Sequence, residues 1–338
     1  MKPALKKRII STGAMLLTPV VVYGIFALIV VISTGKLFLS DSLARNDFLR
    51  TVSLMGLLGL AVSLQIPNGR FDFSIGSILV VSTIVAVNLG IQWGLNSFVT
   101  LLLIMAIGCI LGIISGLIYV LLNIRAMVVS IGVMMIYEAL SMFVFNGQGI
   151  NVNVITSPVF SLAKGVWGYL AVFAVLTALV YILKKFTKFG YNMRSIRGGQ
   201  KIAVDAGIKE KRNAVICYAL AGLLTGAAGI VYAFRNGGVV GAQSGMSTIG
   251  LMFQGFLAMM IGEFLERFDD ISFGIFIGAF IASMYHSFLY AIGCSVDTVT
   301  LINAFTLLVL LLFNRYYDLI KKNINKLLWK NIRRPQAS

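Results

Sequence analysis

The chain has 338 residues, 59% of them hydrophobic and 12% charged, with a formal net charge of +16. A mean hydropathy of +0.93 excludes a soluble globular domain. The surplus of Lys and Arg is not a nucleic-acid footprint, because no basic soluble module carries it, and no nucleic-acid partner is expected.

About 20 apolar residues cross a bilayer. On that measure the chain has about ten spans, near 12–34, 48–66, 73–90, 98–122, 127–145, 165–183, 213–234, 247–262, 271–291 and 297–314. The expected fold class is therefore an all-α polytopic membrane protein. The N-terminus, basic over Met1–Ile10 and apolar over Ser11–Thr34, has the order of a signal peptide. Its apolar run is too long for one, so an uncleaved first span is expected. Ten spans from a cytoplasmic N-terminus also leave the C-terminus cytoplasmic. All of the 28 Lys/Arg except Lys36, Arg45, Arg50, Lys164 and Arg235 then fall inside, which is the positive-inside pattern of a plasma-membrane protein.

Between the second and third spans, Pro67 ends one helix and Asn68-Gly69 supplies a turn. Asp72 or Ser74 can cap the helix that follows. An ionisable group at the edge of a span is equally a functional candidate, so Asn68, Asp72 and Ser74 enter a provisional translocation path. Glycines at four-residue spacing recur as Gly108/Gly112/Gly116, Gly222/Gly226 and Gly274/Gly278. Each set lies on one helix face, where backbones can approach closely in lipid. Glu138 sits deep in the fifth span, where a charge costs about 2.5–3.5 kcal/mol on insertion scales. It lines the path or pairs with an arginine such as Arg50 or Arg235.

The one long polar interruption is 184–212, with nine Lys/Arg (Lys184, Lys185, Lys188, Arg194, Arg197, Lys201, Lys209, Lys211, Arg212) against Asp205 and Glu210. Within it, a helix from Gln200 to Ala206 is framed by Gly198-Gly199 and Gly207. Ile202, Ala203 and Ala206 share its apolar face, and Gly207 can adopt the left-handed conformation that ends it. Such a ridge suits docking into a cytoplasmic partner; the alternative is an amphipathic loop on lipid headgroups. A weak repeat sets Leu54-Met55 and Arg70-Phe71-Asp72 against Leu251-Met252 and Arg267-Phe268-Asp269, consistent with an internal duplication. His286 is read as a packed helix residue, and Cys109, Cys217 and Cys294 as free thiols. No metal site, cofactor site or phosphate-binding loop is expected.

Five stretches together resemble ribose-type ABC transporter permeases, the membrane subunits of binding-protein-dependent sugar importers. They are Asp72-Phe73-Ser74-Ile75-Gly76-Ser77, Gly112-Ile113-Ile114-Ser115-Gly116-Leu117, Ser130-Ile131-Gly132-Val133-Met134, the loop Ser195–Ile208, and Tyr218-Ala219-Leu220-Ala221-Gly222-Leu223-Leu224. The similarity covers roughly residues 45 to 315. The departures are Arg197 where glycine is usual, Gly199 where asparagine is usual, Glu138 where arginine is common, and Ile261–Asp270 in place of a glycine-rich stretch.

The resemblance implies one permease domain over 1–338, with 184–212 as a loop coupled to an ATPase through Gly198, Gly199, Ile202, Ala203, Ala206 and Gly207. It implies further partners: a separate ATP-binding-cassette ATPase, an extracytoplasmic binding protein, and a second permease copy or paralogue. ATP hydrolysis would then lie outside this chain, and the cargo would be a ribose-like monosaccharide. Relatives that carry nucleosides or branched-chain amino acids leave those cargoes open. An ion-coupled secondary transporter would need a buried carboxylate or histidine relay, and only Glu138 lies deep.

Overall fold

The computed structural model describes residues 3–151, 157–242, 245–266 and 270–332. Its helices are α1 (Pro3–Thr34), α2 (Ser42–Gln65), α3 (Ser74–Gln92), α4 (Ser97–Leu122), α5 (Ala126–Phe143), α6 (Ser161–Lys164), α7 (Val166–Phe186), α8 (Lys188–Gly198), α9 (Gln200–Asp205), α10 (Glu210–Arg235), α11 (Ile249–Leu265), α12 (Ile271–Ala291) and α13 (Val296–Ile332). The chain divides after Phe288 into two units; the second begins at Leu289 and carries the end of α12 and all of α13.

Among the described residues, nine helices are long and apolar enough to cross a membrane. The expected span at 247–262 is the exception. It is α11, an apolar helix of 17 residues, or about 26 Å at 1.5 Å per residue, against a hydrocarbon core of about 30 Å. The protein is thus an all-α, multi-spanning membrane protein. Two short strands, Ile150–Asn151 and Gly238–Val239, pair antiparallel in the loops. Arg267, Phe268 and Asp269, the second half of the expected repeat, lie outside the described residues.

At the centre of the first unit is α2, buried continuously from Thr51 to Gln65. A helix buried on every face reads as apolar all round, which is why this stretch shows no amphipathic stripe. Around it pack α3, α7, α10 and α11. The outer faces of α4 and α5 expose Ile110, Ile114, Leu117, Met135 and Ile136, the arrangement expected where the solvent is hydrocarbon.

The four-residue glycine spacings find one another. A Cβ on Gly108 would overlap the carbonyl oxygen of Gly222, one on Gly222 would overlap that of Gly108, and one on Gly226 would overlap that of Ile104. The α4 and α10 motifs are therefore mutual partners. Gly274 and Gly278 likewise meet the carbonyls of Gly262 and Ala258, locking α12 onto α11.

Candidate functional site

Ion pairs sort the bundle's two ends. At the end bearing the basic loop, Arg70 pairs with Glu210 at 3.3 Å and Arg197 with Glu266 at 2.8 Å. At the opposite end, Asp47 on α2 holds Arg235 at 2.9 Å. There Arg50 donates to the Ala163 and Lys164 carbonyls and lies over the Phe234 ring.

The loop itself is a built platform. Thr187 caps α8, its hydroxyl accepting from the Gly190 N–H at 3.4 Å, and Arg194 donates to the Lys184 carbonyl at 2.8 Å. Gly190, Met193 and Ile196 turn inward. The six-residue α9 then ends as proposed from its glycine: Gly207 has φ +87°. Its N–H donates to Val204 at 2.9 Å and that of Ile208 to Ala203 at 3.0 Å, the paired bonds of a Schellman end.

One expectation for α9 is corrected. Ile202, Ala203 and Ala206 do not form a single exposed ridge. Ala203 is 4% exposed and Ile202 is 75% exposed. Successive helical residues differ by about 100°, and α9 turns Ala203 onto α8 and α10. That leaves Ile202, Val204, Ala206 and Gly207 outward; Gly198 is also exposed, and Gly199 is half-buried.

The residues proposed for a path separate into three settings. Asn68 lies in the turn after α2 and lines a cavity of about 50 Å³ with Ser63, Lys184, Arg197 and Glu266. That volume suits a few water molecules and not a sugar. Gly69 closes this turn in the left-handed region at φ +73°.

Asp72 is fully buried. Its Oδ1 accepts from the Ser74 N–H at 2.9 Å and from the Ser74 hydroxyl at 2.6 Å. Phe73, not Asp72, holds the N-cap position of α3, so Asp72 satisfies that end from one residue further back. Asp270, immediately before α12, likewise accepts from the N–H two residues on, that of Ser272, at 2.9 Å. The other oxygen of Asp72 has no partner among the described residues. Burial pushes the Asp72 carboxyl up to about 6, and the two Ser74 bonds oppose this only in part.

A test follows from that charge. Between the ordinary value of 3.8 and about 6, the folded state holds a proton that the unfolded state has lost. Stability therefore falls as pH rises through this window, by up to about 3 kcal/mol. Asp72→Asn keeps an acceptor for Ser74 and removes the buried charge. It is expected to melt above wild type at pH 8, with the gap closing towards pH 4, whereas Asp72→Ala loses about 1 kcal/mol of capping. A gap independent of pH rejects the assignment.

Glu138 pairs with neither Arg50 nor Arg235; its carboxylate is taken up by the backbone at the start of α11. It is 3% exposed. One carboxylate oxygen accepts from the Met246 N–H at 2.7 Å. The other accepts from the Thr248 N–H at 2.8 Å and the Thr248 hydroxyl at 2.7 Å. Irregular backbone between spans must find internal partners, and Glu138 supplies them at the start of α11, where a helix end favours negative charge. Gly76 presses on the same place, since a Cβ there would overlap the Thr248 carbonyl. Thus α3, α5 and α11 converge on Thr248.

Several of these groups carried no signal as site residues in the sequence. Arg70 is 2% exposed, and Lys184, buried on α7, donates to the Ser63 hydroxyl at 3.2 Å. Met246–Thr248 act through backbone N–H groups, which every residue but proline possesses. Arg197 with Glu263 and Glu266 differs: its members were visible as departures from the resembled motifs.

The fold is that of a polytopic membrane protein with a basic, helix-bearing platform at one end. A family model described as "Branched-chain amino acid transport system / permease component" matches residues 45–313, and the chain belongs to that family. It is accordingly a multi-pass inner-membrane permease component of ABC-importer type, not an ATPase.

The chain is 25% identical over 284 residues to an autoinducer 2 import system permease of Photorhabdus laumondii, covering 82% of this chain and 83% of that one. It is 26% identical over 217 residues to the ribose import permease of Bacillus subtilis, covering 63% and 67%. It is 27% identical over 165 residues to the galactose/methyl galactoside import permease of Haemophilus influenzae, covering 46% of this chain and about half (47%) of that one.

Proposed function

We propose that this chain, as one permease domain over 1–338, is a membrane subunit of a binding-protein-dependent importer. In this reading α11, which ends beside the basic loop at the Arg197–Glu266 pair, counts as a short tenth crossing, so both termini and the loop 184–212 face the cytoplasm, following the Lys/Arg asymmetry. The outward face of α9 is the seat for an ATP-binding-cassette ATPase, and Gly198, Gly199 and Gly207 set its position. An extracytoplasmic binding protein delivers the cargo, and a second permease copy or paralogue completes the passage.

The observation that carries this reading is Ile202, an isoleucine three-quarters exposed on a short helix amid cations. With Ala206 four residues on and also exposed, it gives α9 an apolar strip of the kind that docks in a partner's groove. The cargo is a monosaccharide or a solute of similar size and hydroxyl content. The names of the ribose and galactose relatives support that class, while the family description supports branched-chain amino acids as the second reading.

Two experiments test it. Ile202→Asp should lose co-purification of an ATP-binding-cassette ATPase while still inserting in the membrane; retention of the ATPase would remove α9 as its seat. Uptake by vesicles given labelled ribose, galactose, arabinose or leucine should be blocked by vanadate. Uptake driven by a sodium or proton gradient without ATPase would move the protein to the secondary transporters.

A further inference from the structure

The last turn of α8 meets the last turn of α11 through charge. Arg197 donates from Nη1 to both Glu266 oxygens, at 2.8 and 3.0 Å, and its Nη2 lies 3.3 Å from Glu263 Oε1. Burial alone would lower the Arg197 pKa; the two carboxylates outweigh it and raise it. A planar guanidinium held between two carboxylates fixes orientation as well as distance.

The carboxylates are not there for α11. Glu263 and Glu266 occupy its C-terminal end, where the helix dipole disfavours negative charge. All three side chains are partly exposed, so the contact does not serve burial; one guanidinium shared between two carboxylates makes a network, which holds its geometry better than an isolated surface pair. The partner of the carboxylates is one of the two residues, with Gly199, at which the loop departs from its motif, and they lie in the stretch where α11 departs from its own. The two departures touch each other.

Beyond the contact, α11 is stiffly mounted. Gly274 and Gly278 lock α12 against Gly262 and Ala258. At its far end, Thr248 holds Glu138 and abuts Gly76.

We propose that Arg197, Glu263 and Glu266 form a clasp that makes the α8–α9 platform and the α11–α12 pair one moving body. A displacement imposed on α9 then reaches Thr248, and through it α3 and α5, without deforming α11. Arg197 is a positioning residue in this scheme. The proposal rests on α9 being the docking seat, but the clasp itself can be tested without any partner.

Spin labels are placed at Asp205→Cys on α9 and Gly250→Cys on α11, both exposed, with Cys109, Cys217 and Cys294 replaced by alanine. In the full chain in nanodiscs, the distance between labels should form one narrow peak. It should broaden or split in Arg197→Glu and narrow again in the exchange Arg197→Glu/Glu266→Arg, with an unchanged melting midpoint throughout. With the ATPase bound, the wild-type peak should stay where it was on trapping with ATP and vanadate. A peak in Arg197→Glu as narrow as wild type, an exchange that fails to restore it, or a wild-type shift on trapping would each overturn the clasp. If only the docking reading is wrong, Ile202→Asp keeps the ATPase while the partner-free distances behave as expected.

Discussion

Glu138→Ala is expected to cost about 3–5 kcal/mol of stability, because it strands several buried donors at once. The N–H groups of Met246 and Thr248 and the Thr248 hydroxyl all donate to this carboxylate. None of them gains a substitute when the side chain is truncated. Met246 adds to the loss: it holds a left-handed backbone at φ +65°, a conformation that costs a non-glycine residue about 1–2 kcal/mol. Its bond to Glu138 helps keep it there.

Glu138→Gln retains one accepting oxygen but turns an NH₂ towards a backbone N–H, so an intermediate loss is expected. Thr248→Val removes one charge-assisted bond of about 1.5–3 kcal/mol. Melting of the detergent-solubilised protein followed by size-exclusion chromatography ranks the variants. A Glu138→Ala protein as stable as wild type would show that the carboxylate serves something other than the α11 start.

Glu138 also shows where the sequence stops being informative. Its depth in a span and the need for a partner were readable, since a charge there demands compensation. The partner was not. Arginines stand out in a sequence, whereas the N–H groups at 246–248 carry no side-chain signature and lie more than a hundred residues away. The spans were legible because bilayer thickness sets a length; α11 alone is short of it, at 17 residues.

In the basic loop, Gly207 was readable as a helix stop because its conformation is local. The side of α9 that faces in was not, since six residues of mixed character permit several rotations about the axis. The preceding α8 was missed as a helix altogether. Its signal was present as Gly190, Met193 and Ile196 at three-residue spacing, but basic residues dominated the average.

The α4–α10 crossing makes the second large prediction. Both spacings were evident in the sequence, yet nothing in either stretch named the other as its partner; only the carbonyl contacts do that. Adding a methyl group at Gly108 or Gly222 puts a carbon against a backbone oxygen, not against a side chain that could swing away. The helices must move apart, and because α10 also packs on α2 and α3, the displacement enters the core. Overpacking of this kind costs about 1–3 kcal/mol, so Gly222→Ala should fall in that range and Gly222→Val at or above its top.

Gly132 on α5 is the control, with no atom within 4 Å of an added Cβ. There Gly→Ala should be neutral or should stabilise by up to about 1 kcal/mol through helix propensity. Gly108→Ala combined with Gly222→Ala tests the pairing itself. The two changes share one interface, so once the helices have separated for the first methyl, the second should cost less than it does alone. Strict additivity in a double-mutant cycle, or a loss at Gly132 equal to that at Gly222, would mean that contact between the two backbones is not what these substitutions disturb.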